Sequence, residues 1–186
     1  MPIISSAIPL PTENIDTDQI IPARFLLGVT KAGFGEQLFA DQKKAPDFIF
    51  NQPQMTNRQI LVAGHNFGCG SSREHAAWAL DQAGIKVIIS SLFSDIFKSN
   101  VFKNGLLPIT VSPTELAQLF AVLTAQSELK VEIDLAGQRV HAGELQFSFE
   151  IDAFRKKCLL AEEGDLEFML HRLPYIDAFE ERMKNK

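Results

Sequence analysis

The chain has 186 residues, 46% of them hydrophobic and 22% charged, with a net charge of −5. This composition is typical of a globular protein that buries its own core, and the scattered charges form no basic stripe, so a nucleic-acid partner is not expected. The longest apolar runs are too short to cross a bilayer, and residues 1–12 lack the basic start of a signal peptide, so we expect no membrane segment and a cytoplasmic location.

Apolar runs and amphipathic segments alternate in the middle of the chain. Continuous apolar runs are typical of strands buried on both faces, and a glycine follows each of the first two helical segments as a stop signal. The predicted strands cover residues 60–63, 85–90 and 107–111, and the predicted helices cover residues 72–82 and 94–103 and begin again at Ser112. This order predicts an α/β fold with a mixed, partly parallel sheet flanked by helices.

The pattern changes after Ser127. Residues 130–134, 138–141 and 145–151 alternate, or nearly alternate, between apolar and polar side chains, which predicts a small antiparallel meander. Residues 28–57 are irregular, as a substrate loop would be. A tail at residues 163–186 is predicted to hold two helical stretches separated by Pro174. We interpret residues 1–186 as a single domain.

Only two cysteines are present, Cys69 and Cys158. Disulfide scaffolds use more, and a structural zinc or iron–sulfur site usually needs three or four ligands. Two isolated cysteines cannot hold such a cluster alone. If the protein takes part in iron–sulfur chemistry, another chain must therefore carry the metal.

Residues 66–75 read Asn-Phe-Gly-Cys-Gly-Ser-Ser-Arg-Glu-His and join a predicted strand to a predicted helix. The two glycines permit backbone angles closed to other residues. Ser71 and Glu74 have the spacing of a capping box, which predicts Ser71 as the N-cap of the helix. Arg73 then lies in the first turn, where the helix dipole disfavours a cation, and this conflict suggests an anionic ligand nearby.

Three interpretations of this segment remain open. The plainest is a well-capped helix after a glycine turn. A nucleotide-binding loop is a weak alternative, because Gly68-x-Gly70-x-x-Arg73 lacks the third glycine of the dinucleotide fingerprint and no Gly-Lys-Ser/Thr is present. A carboxylate site fits better, since an arginine fork binds carboxylates bidentately.

The same segment resembles the signature of the swivelling domain of the aconitase family. Residues 14–26 resemble the amino-terminal motif of the small-subunit family of 3-isopropylmalate dehydratases, and residues 90–108 and 149–158 resemble further blocks of that family in the same order. The match covers most of residues 8–160. The resemblance implies a swivelling β/β/α domain that works with a separate large subunit, as a heterodimer or a heterotetramer.

The resemblance also implies an activity and residue roles. Enzymes of this family isomerise a hydroxy-dicarboxylate or hydroxy-tricarboxylate by removing water and adding it back the other way round. A [4Fe–4S] cluster held by cysteines of the large subunit acts as Lewis acid, so no cofactor is expected in this chain. By the match, Ser71 is the base that takes a proton next to a carboxylate, and Ser72 and Arg73 bind substrate carboxylate. A serine alkoxide needs N–H donors, a helix N-terminus and positive charge, which an N-cap Ser71 beside Arg73 would have.

Leu26 and Leu27 open the irregular loop, and we predict that they line a pocket for a branched alkyl group; the alternative is an apolar anchor for the loop. Matching an alkyl group to apolar walls contributes about 1–3 kcal/mol, and burying an unpaired carboxylate there would cost more. The substrate 2-isopropylmalate is therefore favoured over citrate-type substrates.

Other polar residues near these motifs have weaker signals. The resemblance places Asp16, Thr17 and Asp18 near the subunit seam and suggests that they orient active-site groups, but it assigns no particular role to any of them. His75 is expected to face the packing side of its helix. Cys69 lies in the glycine turn, where a small buried residue is the default interpretation.

The function implied by the resemblance is the isomerisation of 2-isopropylmalate to 3-isopropylmalate through isopropylmaleate, in leucine biosynthesis. One alternative is the small subunit of a sister hydro-lyase that acts on citraconate and methylmalate or on dimethylmalate. Another is a non-catalytic swivel or assembly module. The intact Ser71-Ser72-Arg73 argues against the last, because a scaffold does not need it.

Overall fold

The computed structural model describes residues 2–26, 33–161, 170 and 172–184. The strands are β1 (Ile3–Leu10), β2 (Ile60–Ala63), β3 (Val87–Ser90), β4 (Leu107–Thr110), β5 (Lys130–Asp134), β6 (Arg139–Ala142) and β7 (Leu145–Ser148). The α-helices are α1 (Thr17–Ile20), α2 (Phe34–Gln37), α3 (Glu74–Gln82), α4 (Asp95–Lys103), α5 (Pro113–Ala125), α6 (Ala153–Ala161) and α7 (Leu173–Lys184). The strands form one seven-stranded sheet in the order β4-β3-β2-β1-β5-β6-β7.

The sheet is parallel on one side of β1 and antiparallel on the other. β1 pairs in parallel with β2 through residues 7–10 and antiparallel with β5 through residues 3–6. β3 and β4 extend the parallel side, and β6 and β7 complete the antiparallel meander. The prediction of an α/β fold with a mixed, partly parallel sheet flanked by helices is confirmed.

The central strand β1 did not emerge from the sequence pattern, because prolines punctuate that segment. The structure shows why Pro9 is tolerated. Leu10 directs its carbonyl group to Gly64, just beyond β2, so the preceding Pro9 faces the opposite side of the strand. The register with β5 covers only residues 3–6, so the missing N–H of Pro9 breaks no bond between strands.

Two apolar clusters cover the two faces of the sheet. Successive residues of a strand point to opposite faces, and accordingly Leu61 belongs to one cluster while Val62 belongs to the other. Helices α1 to α4 contribute to the first cluster and α5 to the second. Phe93 and Phe97 are buried in the first cluster, and the half-buried Phe102 packs against the second.

The predicted irregular segment contains more structure than expected. Its residues 28–32 lie outside the described residues. From residue 33 the chain forms α2 and three short 3-10 helices, Gln42–Lys44, Ile49–Asn51 and Pro53–Met55. The ring centroid of Phe39 lies 5.6 Å from that of Phe48 and 4.9 Å from that of Phe50, and the centroids of Phe48 and Phe50 are 5.8 Å apart. Aromatic packing of this kind anchors a segment to the core. Single helical turns are too short for a periodic pattern to reveal them.

The C-terminal region differs from the prediction in two ways. Helix α6 was not predicted, and α7 begins at Leu173, so Pro174 lies inside this helix and not before it. Pro174 is the second residue of α7, in the first turn, where a proline N–H is not required. Residues 162–169, 171, 185 and 186 of the predicted tail lie outside the described residues.

Candidate active site

The turns that follow β1, β2 and β3 meet at the carboxyl edge of the parallel strands. They comprise residues 11–16, 64–73 and 91–94. Backbone hydrogen bonds join them: these run from Asn14 to His65, from Gly68 to Ile15, from Thr17 to Cys69 and from Phe67 to Leu92, with N···O distances of 2.8, 2.8, 3.0 and 3.0 Å. Ligands of open α/β sheets bind outside this edge, so the motif found in the sequence lies where such a fold places its sites.

The turn after β2 requires a glycine at position 68, both for its positive φ and for its close approach to Phe97. The φ of Gly68 is +75°, and a Cβ there would lie 2.2 Å from the ring of Phe97. Its carbonyl accepts a hydrogen bond from Oγ of Ser94 at 2.6 Å. Gly70 also has a positive φ, +83°. The prediction that this turn depends on glycine backbone angles is confirmed.

Helix α3 begins at Glu74, with Arg73 in the N-cap position and no side-chain cap. The prediction that Ser71 caps the helix is therefore wrong. Two tertiary contacts replace the capping box: the carbonyl of Ser71 accepts from Oγ1 of Thr17 at 2.8 Å, and the carboxylate of Glu74 accepts from Nδ2 of Asn104 at 3.1 Å. Ser71 consequently lies in the turn before the helix, and it lacks the N-cap position that was predicted to stabilise its alkoxide.

The Ser71-Ser72-Arg73 run is open to solvent. Both serines are exposed, and the side chain of Arg73 is 21% exposed. Within the described residues, neither serine hydroxyl forms a hydrogen bond. Nη1 of Arg73 donates to Oδ1 of Asp18. The predicted base and the predicted carboxylate ligands therefore share one surface, with their polar atoms largely free for a ligand.

Residues 16–18, to which the sequence assigned no particular role, support the Ser71-Ser72-Arg73 run. Asp16 caps α1 in a reciprocal capping box with Gln19. Thr17 and Asp18 then contact Ser71 and Arg73, which are 54 and 55 positions further along the chain. The Asp16–Gln19 spacing was a sequence signal for a helix start, but no local pattern could reveal contacts over such separations.

The Arg73–Asp18 pair lowers the pKa of the Asp18 carboxyl below its ordinary value of 3.8. The hydrogen bond from Arg73 is the largest cause, and the backbone N–H of Ala23, which donates at 2.9 Å, is the next. Both donors stabilise the ionised form. The pair therefore persists at neutral pH and is lost only as the pH falls through this lowered pKa.

We expect the amide proton of Ala23 to report this titration. In the isolated chain its chemical shift should stay constant between about pH 8 and pH 5 and move only in more acidic solution. Two-dimensional NMR across an acid titration measures it, and Asp18→Asn should abolish the acidic transition. A transition of the Ala23 signal near neutral pH would contradict the assignment.

Leu26, one of the two predicted pocket residues, is half-buried and packs against the first apolar cluster. Leu27 lies outside the described residues. The chain just before them is tethered: Arg24 forms a bidentate ion pair with Asp41 at 2.7 and 2.9 Å and lies 4.5 Å from the centre of the Phe25 ring. The role of the two leucines as a pocket for an alkyl group stays a prediction.

His75 packs as the helical spacing predicted. Its ring lies 5.3 Å from that of Phe34 and 4.6 Å from that of Trp78, measured between centroids. Cys69 is half-buried, and its thiol donates to the carbonyl of Asn14 at 3.5 Å. Neither residue has a contact that indicates a role in the reaction.

Neither a metal site nor a membrane-spanning helix is found in the part of the chain that the structure describes. No group of three or more His, Cys, Asp or Glu side chains there is arranged to hold a metal ion. Cys69 lies in the turn after β2, and Cys158 is buried on α6. These residues do not fit an iron–sulfur cluster of the chain's own. Among the same residues, no helix combines the length and apolarity of a membrane span.

Comparison with known proteins places the chain in a family. The family model described as aconitase C-terminal domain matches residues 5–114, and a second, described as LeuD_N, matches residues 117–153. The chain therefore belongs to the aconitase C-terminal domain family.

Relatives that match nearly the whole chain are small subunits of 3-isopropylmalate dehydratase. The one from Herpetosiphon aurantiacus is 50% identical over 95% of this chain and 90% of its own length. The one from Cytophaga hutchinsonii is 47% identical over 98% and 94%. The crystal structure of a 3-isopropylmalate dehydratase chain from Methanocaldococcus jannaschii superposes with a TM-score of 0.74, at 27% identity over 97% of this chain and 99% of that one. The resemblance drawn from four sequence blocks is confirmed.

Proposed function

We propose that the chain is the small subunit of a 3-isopropylmalate dehydratase, a hydro-lyase that isomerises 2-isopropylmalate to 3-isopropylmalate in leucine biosynthesis. The observation that carries this proposal is the Ser71-Ser72-Arg73 run. Hydrogen bonds with Thr17 and Asp18 hold this run in place, and its two serines are exposed to solvent. A half-site of this kind needs a second chain to close it. The similarity to proteins named as small subunits supports the same conclusion.

In the proposed reaction, Ser71 takes the proton from the carbon next to a substrate carboxylate, and Ser72 and Arg73 bind carboxylate. Nη1 of Arg73 is engaged by Asp18, whereas its Nη2 and Nε have no hydrogen-bond partner among the described residues. These two parallel donors can bind a carboxylate bidentately. The guanidinium charge also stabilises the alkoxide form of Ser71.

The iron–sulfur cluster belongs, in this proposal, to the large subunit, because the described residues of this chain offer no set of ligands for it. Once bound there, it supplies a Lewis acid for the substrate hydroxyl. This chain supplies the proton acceptor and the carboxylate ligands. The subunits assemble as a heterodimer or a heterotetramer, and we place the complex in the cytoplasm.

Leu26 and Leu27 complete the proposal as the apolar wall against the isopropyl group. Leu26 supports this role in one respect: it sits at the end of the Ala23–Phe25 turn, directly after the Arg24–Asp41 tether. Apolar walls at this position favour an alkyl-substituted malate over a tricarboxylate.

Reconstitution tests the proposed function. The purified chain alone should bind no iron and show no activity, whereas anaerobic mixing with the large subunit and cluster reconstitution should produce isopropylmaleate from 2-isopropylmalate. Methylmalate, dimethylmalate and citrate, assayed in parallel, should give lower kcat/KM values. A higher kcat/KM on methylmalate or dimethylmalate would favour a sister hydro-lyase. Full activity of the large subunit without this chain would reduce this chain to an assembly module.

The substitution Arg73→Lys should raise KM for isopropylmalate and lower kcat/KM in the reconstituted complex by roughly tenfold or more, although the charge is kept. The reason is geometric, because an ammonium group cannot offer two parallel donors to a carboxylate while bonded to Asp18. Steady-state kinetics measure both constants. Arg139→Lys on the exposed face of β6 is the control, and equal kinetics in the two variants would show that Arg73 does not bind substrate.

A further inference from the structure

We propose that Thr17 and Asp18 are positioning residues for the reaction: Thr17 fixes the backbone of the base Ser71, and Asp18 fixes the guanidinium of Arg73. The inference rests on the proposed function, since it concerns the same site. It assigns a separate task to each of two adjacent side chains, and the two tasks predict different kinetic defects.

Thr17 holds the turn after β2 at two points. Its backbone N–H donates to the carbonyl of Cys69 at 3.0 Å, and its Oγ1 donates to the carbonyl of Ser71 at 2.8 Å. The side chain is buried, with 1% of the residue exposed, so water cannot replace the hydroxyl. One residue thereby fixes two carbonyl groups that flank Gly70, a glycine whose conformational freedom would otherwise let the turn move.

Asp18 fixes the neighbouring side chain instead of the backbone. Its Oδ1 accepts both from Nη1 of Arg73 and from the backbone N–H of Ala23. The bond to Ala23 holds the carboxylate in place, and the carboxylate in turn holds one corner of the guanidinium. Fixing a long side chain before the substrate arrives reduces the ordering that binding would require.

Helix α1, which carries both residues, is itself well fixed. Asp16 and Gln19 close its capping box, Ile20 is fully buried, and the carbonyl of Ile20 accepts from the N–H of Phe39 at 2.8 Å. A short helix anchored in this way can transmit its position to the turn it contacts. A displacement of about 1 Å in a reacting group can cost as much as 10²-fold in rate.

The test uses two substitutions in the reconstituted complex. Thr17→Val keeps the shape of the side chain but removes the hydroxyl, and it should lower kcat by at least about tenfold with little change in KM. Asp18→Asn keeps the shape but removes the charge, and it should raise KM by about tenfold with a smaller change in kcat. Thr17→Ser keeps the donor and should restore most of the lost kcat. Thr124→Val and Asp47→Asn, at exposed positions, are the matched controls.

Hydrogen exchange of the isolated full-length chain provides a readout that does not depend on activity. Thr17→Val should accelerate amide exchange in residues 69–73 and leave helix α3 and strand β3 unchanged. Unchanged amide exchange in residues 69–73 of Thr17→Val would overturn the positioning role of Thr17. If Thr17→Val and Asp18→Asn changed kcat by the same factor and KM by the same factor, the two separate roles would also be overturned. If the wild-type complex is inactive on every malate while exchange responds as expected, the proposed function fails and the structural part of the inference stands.

Discussion

Replacing Ser71 by alanine is expected to lower kcat of the reconstituted complex by about 10²- to 10⁴-fold, which is the usual contribution of a positioned general base. KM should change little, because Ser72 and Arg73 bind the carboxylate. The fold should tolerate the change. Ser71 is exposed, its hydroxyl has no hydrogen-bond partner within the described residues, and it does not cap α3, so the free energy of unfolding should change by less than about 0.5 kcal/mol.

Steady-state kinetics and chemical denaturation of the same preparation separate these two effects. Ser148→Ala, on the exposed edge of strand β7, is the control for both measurements. A Ser71→Ala complex that keeps more than about a third of the wild-type kcat would lie far outside the range for a lost general base and would show that another group takes the proton.

Replacing Arg58 by methionine should have the largest effect on stability. Arg58 is 5% exposed, and its guanidinium donates to the carbonyls of Gln54, Ala7 and Ser127 at 2.8, 2.7 and 2.9 Å and to the carboxylate of Glu128 at 2.6 Å. It thereby connects strand β1 to the 3-10 helix Pro53–Met55 and to the loop before β5. Methionine fills similar space but leaves the buried carbonyl of Ala7 and two part-buried carbonyls without donors. The Glu128 side chain is 70% exposed and regains water. Because each buried acceptor left unpaired costs about 1–3 kcal/mol, the free energy of unfolding should fall by about 2–4 kcal/mol.

Guanidinium chloride unfolding of the isolated chain measures this loss. Arg139→Met removes the same charge from an exposed position on β6 and should change stability by less than about 0.5 kcal/mol. Arg58→Lys, which keeps the charge and fewer donors, should fall between the two. If Arg58→Met and Arg139→Met unfold at the same denaturant concentration, the network contributes nothing measurable.

Local chemistry was sufficient to predict the elements whose signals lie within a few residues. The continuous apolar runs of β2 and β3 and the alternating strands of the meander were recognisable because burial on two faces or on one face imposes those patterns. Strand β1 was not recognisable, because Pro9 argues against a central strand. Only the folded sheet shows that residues 7–10 of β1 pair with β2 on one edge but with no strand on the other, because β5 pairs only with residues 3–6.

Two Ser-x-x-Glu segments show where local reasoning stops. Ser112 and Glu115 form a capping box at the start of α5, where no other group among the described residues competes for the serine or the glutamate. Ser71 and Glu74 have the same spacing, but Thr17 holds the backbone of Ser71 and Asn104 binds Glu74. The second motif is therefore overridden by partners from distant parts of the chain.

Some residues of the candidate site were recognisable from a local motif, and others only from contacts between distant parts of the chain. Ser71, Ser72 and Arg73 were found because the family motif is a continuous stretch of sequence. Thr17 and Asp18 received no role from the sequence, because their tasks depend on contacts that only the folded chain creates.

A crystal structure of both subunits with isopropylmalate bound would test directly whether this chain contributes the proton acceptor and a carboxylate ligand. We expect Oγ of Ser71 at about 3–3.5 Å from the carbon that loses its proton, the separation of a reactive complex. Nη2 and Nε of Arg73 should donate to one substrate carboxylate. A substrate held by the large subunit alone, with no contact to Ser71 or Arg73, would contradict the account.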